Sequence, residues 1–271
     1  MTEPEPAPDF ARVPAASVIT ACLSAQASVA PRSALARLFG RSPLSDDSRP
    51  WYQGALGERR VAQRLEALGD EWTVLHSAPI GERGSDIDHV VVGPPGLFTI
   101  NTKFHDDARI WVASRRILVN GQSTDHLRNA RFEAQRVARL MTTATGAPVT
   151  ATPIIAIVGA RDITFKERPA DVIVLREGEL TRWLKRRRST LEPTDRERLA
   201  ASVIRRETWM PQPAAPGPHD AAAFDALERE VEQARRVRIL WGAGVLIAGI
   251  GIAVTVAGNT YSGLISTLTG G

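Results

Sequence analysis

Two short runs in this 271-residue chain hold side chains suited to phosphate chemistry. The first, from Gly84 to Pro94, carries Asp86 and Asp88 ahead of Val90, Val91 and Val92; the second, from Gly96, ends in Asn101, Thr102 and Lys103. Both read as strands joined by a tight Gly/Pro turn. Strand side chains alternate, so Asp86, Asp88, Val90 and Val92 share a face of one strand, and Leu97, Thr99, Asn101 and Lys103 a face of the other. Asp88, Asn101 and Lys103 can therefore converge. Carboxylate oxygens in such a place hold a hard divalent cation, and a lysine beside them orients the water that attacks a phosphate.

A helix must deliver the next acid. In the run from Gly54 to Leu68, Val61, Leu65 and Leu68 recur at helical spacing from Glu58, which puts this carboxylate on the stripe facing the sheet. The order is Gly-x-x-Gly-Glu, then Trp72 to Leu75, then Asp86 to Pro94, then Gly96 to Lys103. In order, spacing and residue type the region from Trp51 to Met141 resembles the nuclease-related domain (NERD) family of the PD-(D/E)XK restriction-endonuclease-like superfamily. The resemblance implies an α/β fold, a restriction-endonuclease-like core with a central mixed sheet flanked by helices. It also implies Mg²⁺ or Mn²⁺ as cofactor and phosphodiester hydrolysis of nucleic acid, with Glu58 and Asp88 at the metal and Lys103 at the water. One position departs from the pattern: Asn101 stands where such nucleases carry an acid. Its amide oxygen adds a neutral ligand without charge, so metal affinity should fall, and Asp86 is the acid on hand to compensate. Aligned to the family, Asn129 takes the place of a Gln near the start of the next helix, with Gln135 a second polar candidate.

Other chemistries are excluded. Five histidines without His-x-x-x-His spacing and the single Cys22 do not make a zinc site. His89 alternates away from Asp88 inside an apolar run and reads as a core residue. Lys103, Lys166 and Lys185 are the only lysines among 34 basic residues. A lysine kept at 103 fits a role for a compact ammonium rather than a planar guanidinium. The net charge of +4 allows nucleic-acid contact without requiring it. Cys22 cannot form an intrachain disulfide, which points to a reducing compartment.

Residues 239–258 form an uncharged apolar run, which as a helix spans about 30 Å, the thickness of a bilayer's hydrocarbon core. Trp241 and Tyr261 flank it as interfacial aromatics, and small residues at Gly244, Ala248, Gly249 and Ala253 allow close helix packing. Arginines precede the run and no charge follows it, so the expected topology is a single-pass protein of the cell membrane with a cytoplasmic N-terminal domain.

The rest of the chain divides accordingly. Residues 1–50 read as a poorly ordered arm with a short helix across 16–38, and 51–209 as the nuclease-related domain. Within that domain the pattern predicts a hairpin over 106–119, a helix over 125–141 and strands at 153–158 and 171–175. It also predicts a helix opened by a capping box at Thr194 and running to Trp209. Arg182 to Arg188 end a helix as a basic run that reads as a solvated face. A Pro-rich linker at 210–219 leads to an amphipathic juxtamembrane helix at 220–238, the transmembrane helix at 239–258 and a short uncharged tail at 259–271. The stripe Phe224, Leu227, Val231, Ala234 and Val237 suits self-association through 220–258 or a membrane surface.

Two readings of function follow. One is a membrane-tethered, metal-dependent nuclease whose catalytic set is Glu58, Asp88, Asn101 and Lys103, with Asp88, Glu58, Asn101 and Asp86 around the metal. The other is a catalytically degenerate domain, acting either as a nucleic-acid binder that does not cut, favoured by Asn101, or as a membrane-anchored interaction module, favoured by the lack of an obvious aromatic-plus-basic nucleic-acid surface.

Overall fold

The computed structural model describes residues 13–79, 86–209 and 218–269. Gly84, Ser85 and linker residues 210–217 lie outside that set, as do the side chains from Gly258 onward, Tyr261 among them.

The architecture is mixed α/β. Strands β1 (Thr73–Pro79), β2 (Asp86–Gly93) and β3 (Gly96–Phe104) run antiparallel in sequence. Helix α4 (His126–Thr145) then crosses over to β7 (Ala151–Val158), which pairs parallel with β3, and β9 (Ile173–Arg176) adds parallel to β7. The five-stranded sheet has the order β1-β2-β3-β7-β9. Between β3 and α4 the chain makes β4 (Arg109–Val112), β5 (Ile117–Val119) and β6 (Gln122–Thr124). These join β8 (Asp162–Phe165) in a second, four-stranded sheet. The expected hairpin is present in it, with Ile110 opposite Val119.

Burial follows the sequence pattern. From Pro153 to Val158 every residue of β7 is buried, as a parallel strand covered on both faces requires. On one face, α3 (Ser48–Leu65) and α5 (Glu177–Lys185) lay Val61, Leu65, Leu180 and Leu184 over Phe98, Ile100 and Ile154. On the other, α4 and α6 (Pro193–Ile204) lay Val137, Met141, Leu199 and Val203 over Val90, Val92 and Leu97. Helix α6 opens on Pro193 at its first turn with Glu192 as N-cap and no side-chain cap, so the expected capping box at Thr194 does not form. Proline preset for helical φ, with no N–H to satisfy, replaces it.

The glycines of the Gly-x-x-Gly-Glu motif have steric reasons. A Cβ on Gly57 would lie 3.1 Å from the Phe104 Cβ and 3.2 Å from the Thr102 Cγ2, so α3 crosses β3 at glycine distance. A Cβ on Gly54 would lie 3.2 Å from Val18. Gly93 faces the ring of Trp72, where a Cβ would stand 2.2 Å from ring carbon.

Two expectations need correction. Residues 13–50 are not a poorly ordered arm: they form α1 (Ala16–Gln26) and α2 (Ala34–Leu38), and Ala15, Ile19, Cys22 and Leu44 pack with Tyr52 and Ala55 of α3. Pro31 separates the two helices. The partner that completes this cluster, Phe224, lies in α7 (Pro218–Thr269), a single 52-residue helix about 80 Å long. The juxtamembrane and apolar segments are therefore one continuous helix, and it carries the candidate membrane span. Its first turns dock on the domain. Phe224 meets Tyr52 at 5.6 Å between ring centroids, and Arg59 bonds Asp225 at 2.8 Å and Glu228 at 3.0 Å. Leu227 and Val231 pack against the same cluster and Ala234 is buried. The stripe within 220–238, expected to suit self-association through 220–258 or a membrane surface, packs on the chain itself from Phe224 to Ala234, and self-association is not shown.

Replacing Gly57 should separate α3 from β3. Gly57→Val is expected to destabilise the domain by about 1–3 kcal/mol, the usual cost of overpacking, and Gly57→Ala by less. Thermal unfolding followed by near-ultraviolet circular dichroism measures both.

Candidate active site

The β2–β3 hairpin builds the centre of the site. Its tight connection at Gly96, φ 133°, sets a register in which Val90 faces Thr99 and His89 faces Ile100. One step further that register brings Asp88 to Asn101, and the Asp88 Oδ2 accepts the backbone N–H of Thr102 at 2.5 Å. Helix α3 brings Glu58, a buried carboxylate on the stripe that packs on the sheet.

The electrostatics show that these groups share one space. Burial pushes the Glu58 carboxyl well above its ordinary range; the charges of Asp88 and then Asp86 push it further, and Lys103 opposes them. Asp88 is also raised by burial, against Lys103 and the Thr102 N–H. Burial raises Asp86 too, opposed by the Ser17 hydroxyl, which donates to Oδ1 at 2.9 Å. Asp86 thus lies near the site but is held by α1. Lys103 acts on every one of these acids except Asp86.

A fourth carboxylate was not identified from sequence. The Asn101 Nδ2 donates to both oxygens of Glu133 on α4, at 2.6 and 2.7 Å. Burial raises the Glu133 carboxyl to about 7; the Asn101 hydrogen bond and Lys103 oppose the rise, while Asp88 and Asp86 add to it. Glu133 falls between Ala130, Ala134 and Val137 on the buried side of α4. The criterion that singles out Glu58, an acid on an apolar stripe, would have found it. Asn129 and Gln135, the polar candidates on this helix, are exposed.

Asn101 is left half satisfied. An ionised carboxylate only accepts, so the amide nitrogen must be the end that meets Glu133. The Oδ1 is then buried with no hydrogen-bond partner among the described residues. Among those residues no three His, Cys, Asp or Glu side chains form a preformed metal cluster.

The histidines sit at the margins. His89 is buried in the core, as expected, with its Nδ1 2.8 Å from that of His76, and burial lowers both. His105 and His126 stack beyond Lys103 with Nε2 atoms 3.1 Å apart. Burial, then the Lys103 charge, then His105 lower His126 to about 4.

The fold also assembles an aromatic and basic surface that the sequence conceals. A cleft of about 490 Å³ between β9, the segment after β8 and α5 is lined by Phe165, Arg168, Arg182, Trp183, Arg186 and Arg187. Arg168 lies over the Phe165 ring at 4.0 Å and Arg187 over the Trp183 ring at 4.5 Å. None of the four arginines makes an ion pair among the described residues. The expected absence of such a surface is thereby corrected: residues from two separate segments meet at the sheet edge.

No curated protein and no solved structure matches the chain. Residues 53–158 do match the family model described as nuclease-related domain, a range that holds Glu58, Asp88, Asn101, Lys103 and Glu133. Over residues 53–158 the chain is thus similar to the nuclease-related (NERD) family, whose general setting is the PD-(D/E)XK superfamily.

Proposed function

We propose that the chain is a membrane-tethered nuclease that hydrolyses phosphodiester bonds of cytoplasmic nucleic acid with Mg²⁺ or Mn²⁺. One observation carries the reading: the Asn101 Oδ1 is buried and unpartnered beside carboxylates that burial and mutual repulsion hold above their ordinary range. Unpaired buried oxygens and strained carboxylates are costly unless a cation offsets them. The donor set is all oxygen, which suits Mg²⁺ or Mn²⁺ rather than zinc. Mg²⁺ keeps several waters and needs one or two protein carboxylates, so a preformed cluster of three is not required.

Asp88 and the Asn101 Oδ1 are the proposed metal ligands, with Glu58 beside them. Glu133 supplies from α4 the negative charge that Asn101 lacks on β3. A bound metal would lower the pKa of an attacking water and neutralise charge on the phosphate. Lys103 would orient that water. The arginine cleft would hold the substrate strand by its phosphates, with Phe165 and Trp183 offering ring faces to bases. The arginines before the apolar run of α7, with no charge among residues 259–271, support a cytoplasmic domain by the positive-inside rule. The second reading, a degenerate domain that binds without cutting, is favoured by the neutral side chain at 101.

The carboxyl shifts fix a pH dependence. Glu133 titrates near 4.5 when exposed and at about 7 in the fold, so between those values the folded state binds the extra proton. Stability therefore falls as pH rises through this window, and the penalty is complete above it. Divalent metal should raise the thermal midpoint more at pH 8 than at pH 5. Glu58→Gln should raise the midpoint in metal-free buffer at pH 8, by roughly 2–4 °C per kcal/mol recovered. Differential scanning fluorimetry with EDTA or MgCl₂ reads both. A Glu58→Gln midpoint unchanged at pH 8 would mean that this acid carries no buried charge.

A charge swap tests the role of Glu133. Asn101→Glu alone sets two carboxylates against each other at hydrogen-bond distance, so it should lower stability. Glu133→Gln alone should abolish metal-dependent cleavage of a labelled oligonucleotide. The double variant Asn101→Glu/Glu133→Gln keeps one acid and one amide, and should restore both stability and cleavage. Full activity in Glu133→Gln would remove Glu133 from the site, and no cleavage by any form, with binding retained, would favour the degenerate reading.

The cleft makes a separate claim. Arg182→Glu/Arg186→Glu should weaken oligonucleotide binding in EDTA and flatten its salt dependence, with a loss in slope of about 0.7 to 0.9 for each phosphate contact removed. Fluorescence anisotropy across a salt series measures it.

A further inference from the structure

Helix α2 and the turn after it expose three large apolar side chains in succession: Leu35 is 67% exposed, Leu38 55% and Phe39 58%. They stand next to the start of the apolar run of α7. The Trp241 indole Nε1 donates to the Leu38 carbonyl at 2.8 Å, and the Phe39 and Trp241 rings lie 5.6 Å apart between centroids. Ile239 and Leu240 on the same turn of α7 are exposed as well. The result is one contiguous apolar patch built from two segments some two hundred residues apart.

The patch is held in place. Gly40 takes φ 67°, and a Cβ there would lie 2.6 Å from the Ala234 carbonyl oxygen and 2.8 Å from the Arg238 nitrogen, so the backbone after α2 lies directly against α7. Arg32 bonds the Arg41 carbonyl at 3.1 Å and pairs with Glu230 at 3.2 Å. Ser33 caps the helix through the Ala36 N–H. The chain thus spends a buried arginine, a left-handed glycine and an indole hydrogen bond on fixing a short helix whose large apolar side chains face outward.

We propose that α2, with Phe39 and Trp241, is a second membrane anchor, seated in the headgroup and upper acyl region of the bilayer that α7 crosses. The inference rests on the tethered reading given above. Continuity decides the occupant: Leu38 and Phe39 stand level with Trp241, the residue at the boundary between the basic and the apolar parts of α7. Trp and Phe favour that depth, and Arg37, Arg41, Arg235 and Arg238, all exposed, ring the patch with the charge that anionic headgroups attract. An exposed contiguous apolar patch on a soluble face would instead be a liability for aggregation. A helix crossing a bilayer alone leaves its domain free to swivel. Attachment at two points fixes the domain's tilt, and so the direction in which the candidate active site and the arginine cleft face.

Depth measurements on the full chain in phosphatidylcholine/phosphatidylglycerol vesicles test this. Single variants Leu35→Cys, Leu38→Cys, Ile247→Cys and Arg188→Cys are spin-labelled, and the accessibility of each label to oxygen and to a water-soluble nickel chelate is compared. The native Cys22 is fully buried in the α1–α3 cluster, out of reach of the label. The expected result is an oxygen-to-nickel ratio at Leu35 and Leu38 that rises well above the aqueous value at Arg188, toward the value at Ile247. If Ile247 is in the bilayer while both α2 labels report water, the second anchor is overturned and the tether stands. If Ile247 itself reports water, the tether fails and the inference fails with it. Dipolar broadening between α2 labels of different chains would show that a second copy covers the patch, which overturns the lipid assignment.

Discussion

Asp88, Glu58 and Glu133 all lose hydration on burial while the charge of one lysine, Lys103, acts on each and Asp86 opposes it, and this imbalance governs how the domain must be built. Each acid loses hydration on burial, and each repels the others. One ammonium cannot neutralise the set. The fold therefore has to hold the groups together against their own electrostatics, and it does so with rigid elements. Asp88 and Asn101 are fixed by hairpin register, Glu58 by a helix that crosses β3 at glycine distance, and Glu133 by the crossover helix that makes β3 and β7 parallel. Only the core between these elements offers the compensating free energy.

The distribution of acid among the elements also bears on the odd residue of the site. On β3 a carboxylate at 101 would face Glu133 directly, because the amide now there touches both of its oxygens. Acid at one position demands a neutral donor at the other. The negative charge at this contact lies on helix α4, while the amide on β3 keeps an oxygen, the Asn101 Oδ1, buried on the strand.

What could be read in the sequence was whatever local rules determine. The β2–β3 hairpin follows from alternation and a Gly/Pro turn, and Glu58 from its place on an apolar stripe. Glu133 obeys the same stripe rule but lies outside the familiar order of motifs. The arginine cleft escaped for another reason. Phe165 ends β8 and Arg168 follows it, Trp183 lies in the last turn of α5 and Arg187 just beyond it, and sheet topology alone brings them together. The N-terminal segment was misread because α1, though apolar, has no clear amphipathic stripe, and the partner that completes its cluster, Phe224, comes about two hundred residues later. The stripe from Phe224 to Ala234 is periodic, but nothing local in it says that residues 13–55 are what it packs against.

That late pairing shapes how the domain is carried. Had the chain after Trp209 led into a helix free of the domain, the α/β domain would hang on a linker and sample every orientation. Instead Phe224, Ala234, Arg59 and Arg32 bind the first turns of α7 to α1 and α3, and the same helix continues without a break into its apolar half. An α-helix is stiff over this length, so orientation set at one end is transmitted to the other. The residues that position Glu58 and those that dock α7 lie on one helix, α3, with Tyr52 and Arg59 on either side of Gly57 and Glu58. Any force that tilts α7 is therefore applied first to the helix that delivers an acid to the site.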